Sequence, residues 1–212
     1  MPAERTSAHA PAAAIIGLYE RNAAGWDEDR GCRLYEPHEP HWLGRFVELL
    51  PVGATVLDIG CGTGDPVARH LLGRGLGLTG TDSSPSMITT AADRLPAAEW
   101  IVADMRRLDL GRRFDGLLAW HSFFHLMPEH QRPMFPRFAR HAAPRAALMF
   151  TSGPAHGDAI DEWRGGPLYH GSLAPEEYRR LLDANGFDVV DHRVGMPAAD
   201  DGPTVWLARF RR

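Results

Sequence analysis

The stretch "DIGCGTG", from Asp58 to Gly64, is where residue types and spacing speak most directly of chemistry. Its glycines Gly60, Gly62 and Gly64 follow a short apolar run. Glycine there permits positive φ and lets a ligand press against bare backbone. A dinucleotide site of the G-x-G-x-x-G kind rests a pyrophosphate on the following helix N-terminus. Counted from Gly60, the place of the third glycine is held by Asp65. A carboxylate there repels a pyrophosphate and suits a nucleoside carrying a positive centre. Asp65 and Pro66 also read as a helix start, with the acid at the N-cap and proline in the first helical position.

Two further acids stand at the ends of apolar runs. Asp82 closes "LTGTD" and can accept from both ribose hydroxyls, the role of the acid at this spacing in Rossmann-type sites. Asp104 follows "WIVA" and could receive an adenine amino group. In "AWHSFFHLMPEH", a helical turn starting near His121 would put His121 and His125 on one face. Either could accept a proton from an alcohol or amine, or anchor a substrate. A metal is not expected: the histidine pair lacks the adjacent glutamate and an evident third ligand. His38 and His41, in "PHEPH", read as a solvated turn.

The elements that must position these residues have the rhythm of a parallel sheet. "ATVLDI", "LGLTGT", "EWIVA", "FDGLLAW" and "AALMFTS" are short apolar runs separated by segments of helical composition. Helices are expected near Val67–Leu72, Pro85–Arg94, Glu129–Ala142 and Pro175–Ala184, the last closed by Gly186. "FDVVDHRV" and "PTVWLARF", joined through "DDG", suit an antiparallel pair, with Trp206 in the core. Ahead of the sheet, residues 1–11 read as a flexible N-terminus, and 12–50 as a helical cap. Its helices span Ala12–Asn22 and Pro40–Leu50, with "GWDEDR" as a polar turn between them. Residues 152–173 read as a long loop insert for substrate, carrying His156, Trp163, Tyr169 and His170.

Bulk properties narrow the classes. A chain of 212 residues, 44% hydrophobic, suits one compact domain, here 12–212. A formal charge of −4 gives no footprint for a polyanion, so no nucleic-acid partner is expected. All 23 basic residues are arginine, which excludes a Schiff-base lysine and a phosphate-loop lysine. Cys32 and Cys61 are too few for a disulfide framework. No run of about 20 apolar residues offers a membrane span, and no secretory signal is evident, so a cytoplasmic location is expected.

"VLDIGCGTG", "GTDSSPSMI", "IVADMRRL" and "FDGLLAW" together resemble the class I S-adenosylmethionine-dependent methyltransferases of small-molecule type. The resemblance implies a Rossmann-like α/β fold: a seven-stranded, mostly parallel sheet with the last strand antiparallel and helices on both faces. It also implies S-adenosyl-L-methionine as cofactor and S-adenosyl-L-homocysteine as product. Carried onto matching positions, Gly60, Gly62 and Gly64 line the methionine moiety and Asp58 holds its amino group. Asp82 takes the ribose, and Asp104 with Met105 takes the adenine. Cys61, Ser83, Met87 and Trp120 complete the cofactor set, while "LYERNAAGWDEDR" brings Tyr19 and Arg30 toward the carboxylate. Trp26 joins the loop insert among the substrate residues. In some relatives an acid stands at the position of His121. A chain with "WHSF" after the fourth strand lacks the Asn/Asp-Pro-Pro-aromatic motif that reads a flipped base. Methylation of a small-molecule oxygen or nitrogen by a monomer or homodimer is the expectation. Other chemistry on the sulfonium, or a nicotinamide-dependent oxidoreductase, stays open.

Overall fold

A computed structural model describes residues 5–35, 37–195 and 203–212. Five strands alternate with helices: β1 (Thr55–Ile59), β2 (Gly77–Asp82), β3 (Glu99–Val102), β4 (Phe114–Ala119) and β5 (Ala142–Ser152). Two more, β8 (Phe187–Arg193) and β9 (Thr204–Phe210), complete a seven-stranded sheet in the order β3-β2-β1-β4-β5-β9-β8. β9 runs antiparallel to both its neighbours, and the other pairings are parallel. The Rossmann-like arrangement expected from the sequence is therefore the observed one. The order in which successive strands are added reverses between the parallel neighbours β1 and β4, and the carboxyl ends of strands at such a switch form a crevice.

Local chemistry explains several helix boundaries. α5 (Pro85–Arg94) starts with Pro85 after Ser84, whose hydroxyl accepts from the Met87 amide at 3.1 Å. α8 (Pro175–Ala184) also opens on proline, and Gly186 follows with φ +84°. α4 (Val67–Gly73) differs from expectation. Asp65 is not its N-cap, because the carboxylate is held by Arg69 at 2.5 and 2.8 Å and Pro66 occupies the cap position. The helix expected over Glu129–Ala142 is two, α6 (Pro128–Gln131) and α7 (Met134–His141), broken around Pro133, which has no amide to donate.

Both faces of the sheet are covered. Phe123, Phe135, Phe138, Phe150 and Trp206 form an aromatic core on one face, with Phe150 and Trp206 stacked at 6.0 Å. On the other, Trp42, Leu43 and Phe46 from α3 (His38–Glu48) pack among Val56, Leu118 and Met149. Side chains of this size each stabilise by about 1.5–3 kcal/mol on burial. "PHEPH" therefore opens a helix rather than forming a solvated turn.

The N-terminal segment departs most from the sequence reading. α1 (Arg5–Arg21) begins well before Ala12, taking in part of the stretch expected to be flexible; residues 1–4 lie outside the described chain. "GWDEDR" is helical, within α2 (Ala23–Arg30). The 152–173 insert is a β-hairpin rather than a loop, β6 (Gly157–Trp163) paired antiparallel with β7 (Gly166–Ser172). α1 lies along this hairpin, with Ile15 packed with Tyr169 and Met127. Each supplies the apolar face the other lacks, a tertiary contact invisible to local periodicity. The "DDG" connection lies outside the described residues. Among described residues, no helix is long and apolar enough to cross a membrane.

Candidate active site

The glycine loop leaves β1 and folds over the end of β2. The Gly60 and Cys61 amides both donate to the Thr81 carbonyl, at 2.7 and 3.0 Å. The Gly62 amide donates to Asp82 at 3.0 Å, and the Ser84 amide to the same carboxylate at 2.9 Å. Gly62, at φ +55°, carries the Trp26 ring where a Cβ would stand, only 2.8 Å from the nearest ring carbon. Gly64 does different work: a Cβ there would meet Trp100 and Leu95, so it permits core packing and does not line the cleft.

This loop forms one wall of a cleft with about 800 Å³ of open space. Asp82 and Ser83 at the end of β2, Met87 on α5, and Asp104 with Met105 after β3 line it. Tyr19 and Trp26 reach across from the N-terminal helices. A contiguous recess holds Asp58, Cys61, Arg30 and Trp120. Asp58 is buried, at 3% exposure, and among the described residues its carboxylate has no hydrogen-bond partner. Desolvation first, and the Asp82 charge second, push its pKa up to about 7. Burial likewise raises Asp82. Burial lifts the Cys61 thiol well above its ordinary range, and the nearby aspartates add to it, so it is no nucleophile. The Asp104 carboxylate is gripped by Arg106, at 2.6–2.9 Å.

Three acids of the N-terminal helices fasten the cap over this cleft. Glu20 accepts from the Ser84 and Ser86 hydroxyls, at 2.5 and 2.7 Å, joining α1 to the start of α5. Asp27 accepts from Thr63 of the glycine loop at 2.7 Å and from Arg94 at 2.5 and 2.6 Å. Asp29 accepts from the Trp163 indole at 2.9 Å and from Arg164, tying α2 to the hairpin.

The two histidines do not share a helical face. His121 follows β4 with φ +51°, and a short 3₁₀ turn covers only Phe123–His125. His125 has both ring nitrogens engaged. Nδ1 lies 2.8 Å from the Tyr169 carbonyl, which only accepts, so Nδ1 carries the proton. Nε2 then accepts from the Tyr19 hydroxyl at 2.9 Å. Desolvation lowers the His125 pKa to about 3. His121 is also lowered by desolvation, with Glu39 opposing and Arg30 assisting. Its Nε2 stands 3.7 Å from Glu39, and its ring borders the cleft, the recess and a third cavity beyond them.

Glu39 was not anticipated. Only 1% exposed, its carboxylate accepts from Arg30 at 2.7 and 2.8 Å, the Trp120 indole at 2.7 Å and the Tyr35 amide at 2.7 Å. Arg30 is thereby committed to Glu39 while still bordering the recess. The signal lay in spacing, since Glu39, Trp42, Leu43 and Phe46 stand at i, i+3, i+4, i+7, placing the acid on the buried stripe.

Of the expected substrate residues, Trp26 and His170 face open space. His170 stacks on His125 at 5.1 Å. Tyr169 is fully buried, its hydroxyl bonded to Asp158, and lends the site only its carbonyl. Trp163 packs on Tyr19 at 5.2 Å as part of the cap, and His156 is exposed on the hairpin, outside the cavities above. Among the described residues, no group of three or more His, Cys, Asp or Glu side chains is placed to hold a metal ion.

Residues 56–145 match the family described as "Methyltransferase domain". The trans-aconitate 2-methyltransferase of Azoarcus sp. (strain BH72) is 34% identical over 99 residues, 45% of this chain and 37% of that protein. That of Escherichia fergusonii is 32% identical over 94 residues, 44% of this chain and 36% of the other. The matches thus span little more than a third of those relatives. Among solved structures, the Burkholderia thailandensis 1,6-didemethyltoxoflavin-N1-methyltransferase, with 1,6-didemethyltoxoflavin and S-adenosylhomocysteine bound, superposes with TM-score 0.74. It is 22% identical, covering 97% of this chain and 91% of that one. An S-adenosylmethionine-bound amino pentose methyltransferase of Micromonospora echinaspora gives 0.67 at 21% identity, covering 91% and 96%. The fold is that of the Rossmann-like methyltransferases.

Proposed function

We propose that this chain is an S-adenosylmethionine-dependent methyltransferase acting on an oxygen or nitrogen of a small-molecule acceptor. It would work in the cytoplasm, as a monomer or homodimer, and release S-adenosylhomocysteine. The observation that carries this reading is the buried carboxylate of Asp58, without a hydrogen-bond partner among the described residues, in the recess adjoining the cleft that Asp82 and Asp104 line. A carboxylate held partly protonated by burial is a ready partner for an ammonium group, whose charge would restore its ionised form. The cleft residues fit such a cofactor.

Bound there, the cofactor would supply a methyl group on a positively charged sulfur. Gly60 and Gly62 offer bare backbone to the methionine moiety, with Asp58 at its amino group. Asp82, fixed by two backbone amides, would receive the ribose hydroxyls, and Asp104 with Met105 and Met87 would border the adenine. Tyr19 and Trp26 close the cleft from the cap and exclude water. An oxygen or nitrogen acceptor taking that methyl group would have to give up a proton. His125 is occupied on both nitrogens, which supports His121 as the residue that would take that proton, a role worth ~10²–10⁴-fold. Holding the two reactants in line supplies the larger share of the rate.

The test is incubation with methyl-deuterated S-adenosylmethionine and a small-metabolite extract, followed by mass spectrometry. Label in a small molecule together with S-adenosylhomocysteine is the expected result. Methylthioadenosine in place of S-adenosylhomocysteine, or no cofactor binding, overturns the reading.

A further inference from the structure

A third cavity, about 490 Å³ in volume, lies between the hairpin and the ends of β5 and β9. His121, Phe124 and His170 border both it and the recess holding Asp58, so the two spaces share a wall. Its size suits a ring-bearing small molecule. Resting on the methyltransferase reading, we infer that this cavity is the acceptor chamber, and that Asp158 makes it selective for a cationic or hydrogen-bond-donating acceptor over an anionic one.

Charge carries the argument. Among the described residues bordering the chamber, no arginine is present, and the whole chain has no lysine. Asp158 is the one carboxylate bordering the chamber among the described residues. The Tyr169 hydroxyl donates to its Oδ1, which leaves Oδ2 for a ligand. Two of the three hydroxyls at the wall already donate within the protein. Ser152 and Ser172 both donate to the Gly153 carbonyl, at 2.9 and 3.2 Å. Thr204 accepts from the Gly195 amide at 3.0 Å. Both histidines at the shared wall are kept neutral by desolvation, so neither supplies a positive charge at neutral pH.

A polycarboxylate at this solvent-open space would meet Asp158, itself exposed, and find no guanidinium. An ammonium or aromatic N–H gains a charge-assisted hydrogen bond, and the face of Phe124 adds attraction for a cation. In a cationic acceptor the methylated atom is a different, uncharged nucleophile, or a nitrogen that has already lost its proton. The chamber is thus unlike what a tricarboxylate such as trans-aconitate requires, even though the curated relatives named above carry that substrate in their names.

Saturation-transfer NMR on the enzyme loaded with S-adenosylhomocysteine tests this. The probes are matched amine and carboxylate pairs, benzylamine against benzoate and tryptamine against indole-3-acetate, with trans-aconitate added. The amine of each pair is expected to bind at least tenfold tighter, with trans-aconitate failing to bind. D158N is expected to abolish the preference and D158E to keep it, both with unchanged affinity for S-adenosylhomocysteine. Equal or tighter binding of the carboxylates, no binding of either amine, or an unaltered preference in D158N overturns the inference. The parent protein's own preference decides the matter if D158N fails to fold. Failure of the parent to bind S-adenosylhomocysteine would instead sink the methyltransferase reading itself.

Discussion

The Tyr19 hydroxyl donates to His125 Nε2 across 2.9 Å, while the opposite ring nitrogen of His125 donates to the Tyr169 carbonyl. One imidazole therefore joins the cap helix α1 to the hairpin through a single fixed tautomer. A histidine in this position is a strut between two elements, and its nitrogens are not free for an acceptor.

That arrangement sets a pH dependence. Folding holds the His125 pKa near 3, below its unfolded value of about 6.5. Between these values the unfolded chain binds the extra proton, so stability from this group is complete above about pH 6.5 and falls with acidification. The slope approaches about 1.4 kcal/mol per pH unit. In H125Q, urea denaturation between pH 7 and 4.5 should show a shallower loss than the parent. An identical slope would show that His125 does not titrate as its burial dictates.

Asp58 has the opposite sign. Its folded pKa, raised to about 7, means the native cleft holds a proton that binding of an ammonium group must expel. Affinity for S-adenosylhomocysteine should therefore rise through pH 6–7.5, with release of a fraction of a proton. Calorimetry in buffers of different ionisation enthalpy measures that release. D58N should abolish it and weaken binding by roughly 10–100-fold, the worth of a hydrogen bond to a charged group.

Glu39 balances Arg30 in a buried pair, with Trp120 bonded to the same carboxylate. E39A leaves the guanidinium without its partner, and breaking such a pair costs about 3–5 kcal/mol. Thermal unfolding should show a large drop. E39Q, which keeps the shape, should fold better while altering the pH profile of turnover through His121, 3.7 Å away.

The clamp between α2 and the hairpin rests on exposed groups, Asp29 with Arg164. R164A should cost little stability. Its effect should appear in kinetics: faster release of S-adenosylhomocysteine in stopped-flow, most visible at low salt. An unchanged release rate would mean the cap does not open through this contact.

Most of the sheet was legible because strands buried on both faces write themselves as short apolar runs. β1, β2, β4 and β9 follow from that pattern, the edge strand β8 from its apolar run close in sequence to β9, and the glycine loop with Asp82 and Asp104 from strand ends and spacing. The cap was not legible in the same way. α2 carries the polar residues Asp27, Glu28, Asp29 and Arg30, and local composition gives no reason for a helix. Its stability comes from Thr63, Arg94 and Arg164, brought from three distant parts of the chain.

The sequence by itself determined the architecture and the acids of the cleft, because periodicity and glycine placement are local properties. Only tertiary structure decided which side chains border open space and which are committed to partners. It turned the 152–173 segment into a hairpin by giving it α1 to pack on, buried Tyr169, left His156 outside and moved Gly64 from ligand contact to core packing. It also separated two histidines that look alike in sequence. His125 is spent on a strut and His121 is left at the junction of three spaces, because hydrogen-bond partners come from whatever the fold brings near, and no spacing rule encodes that.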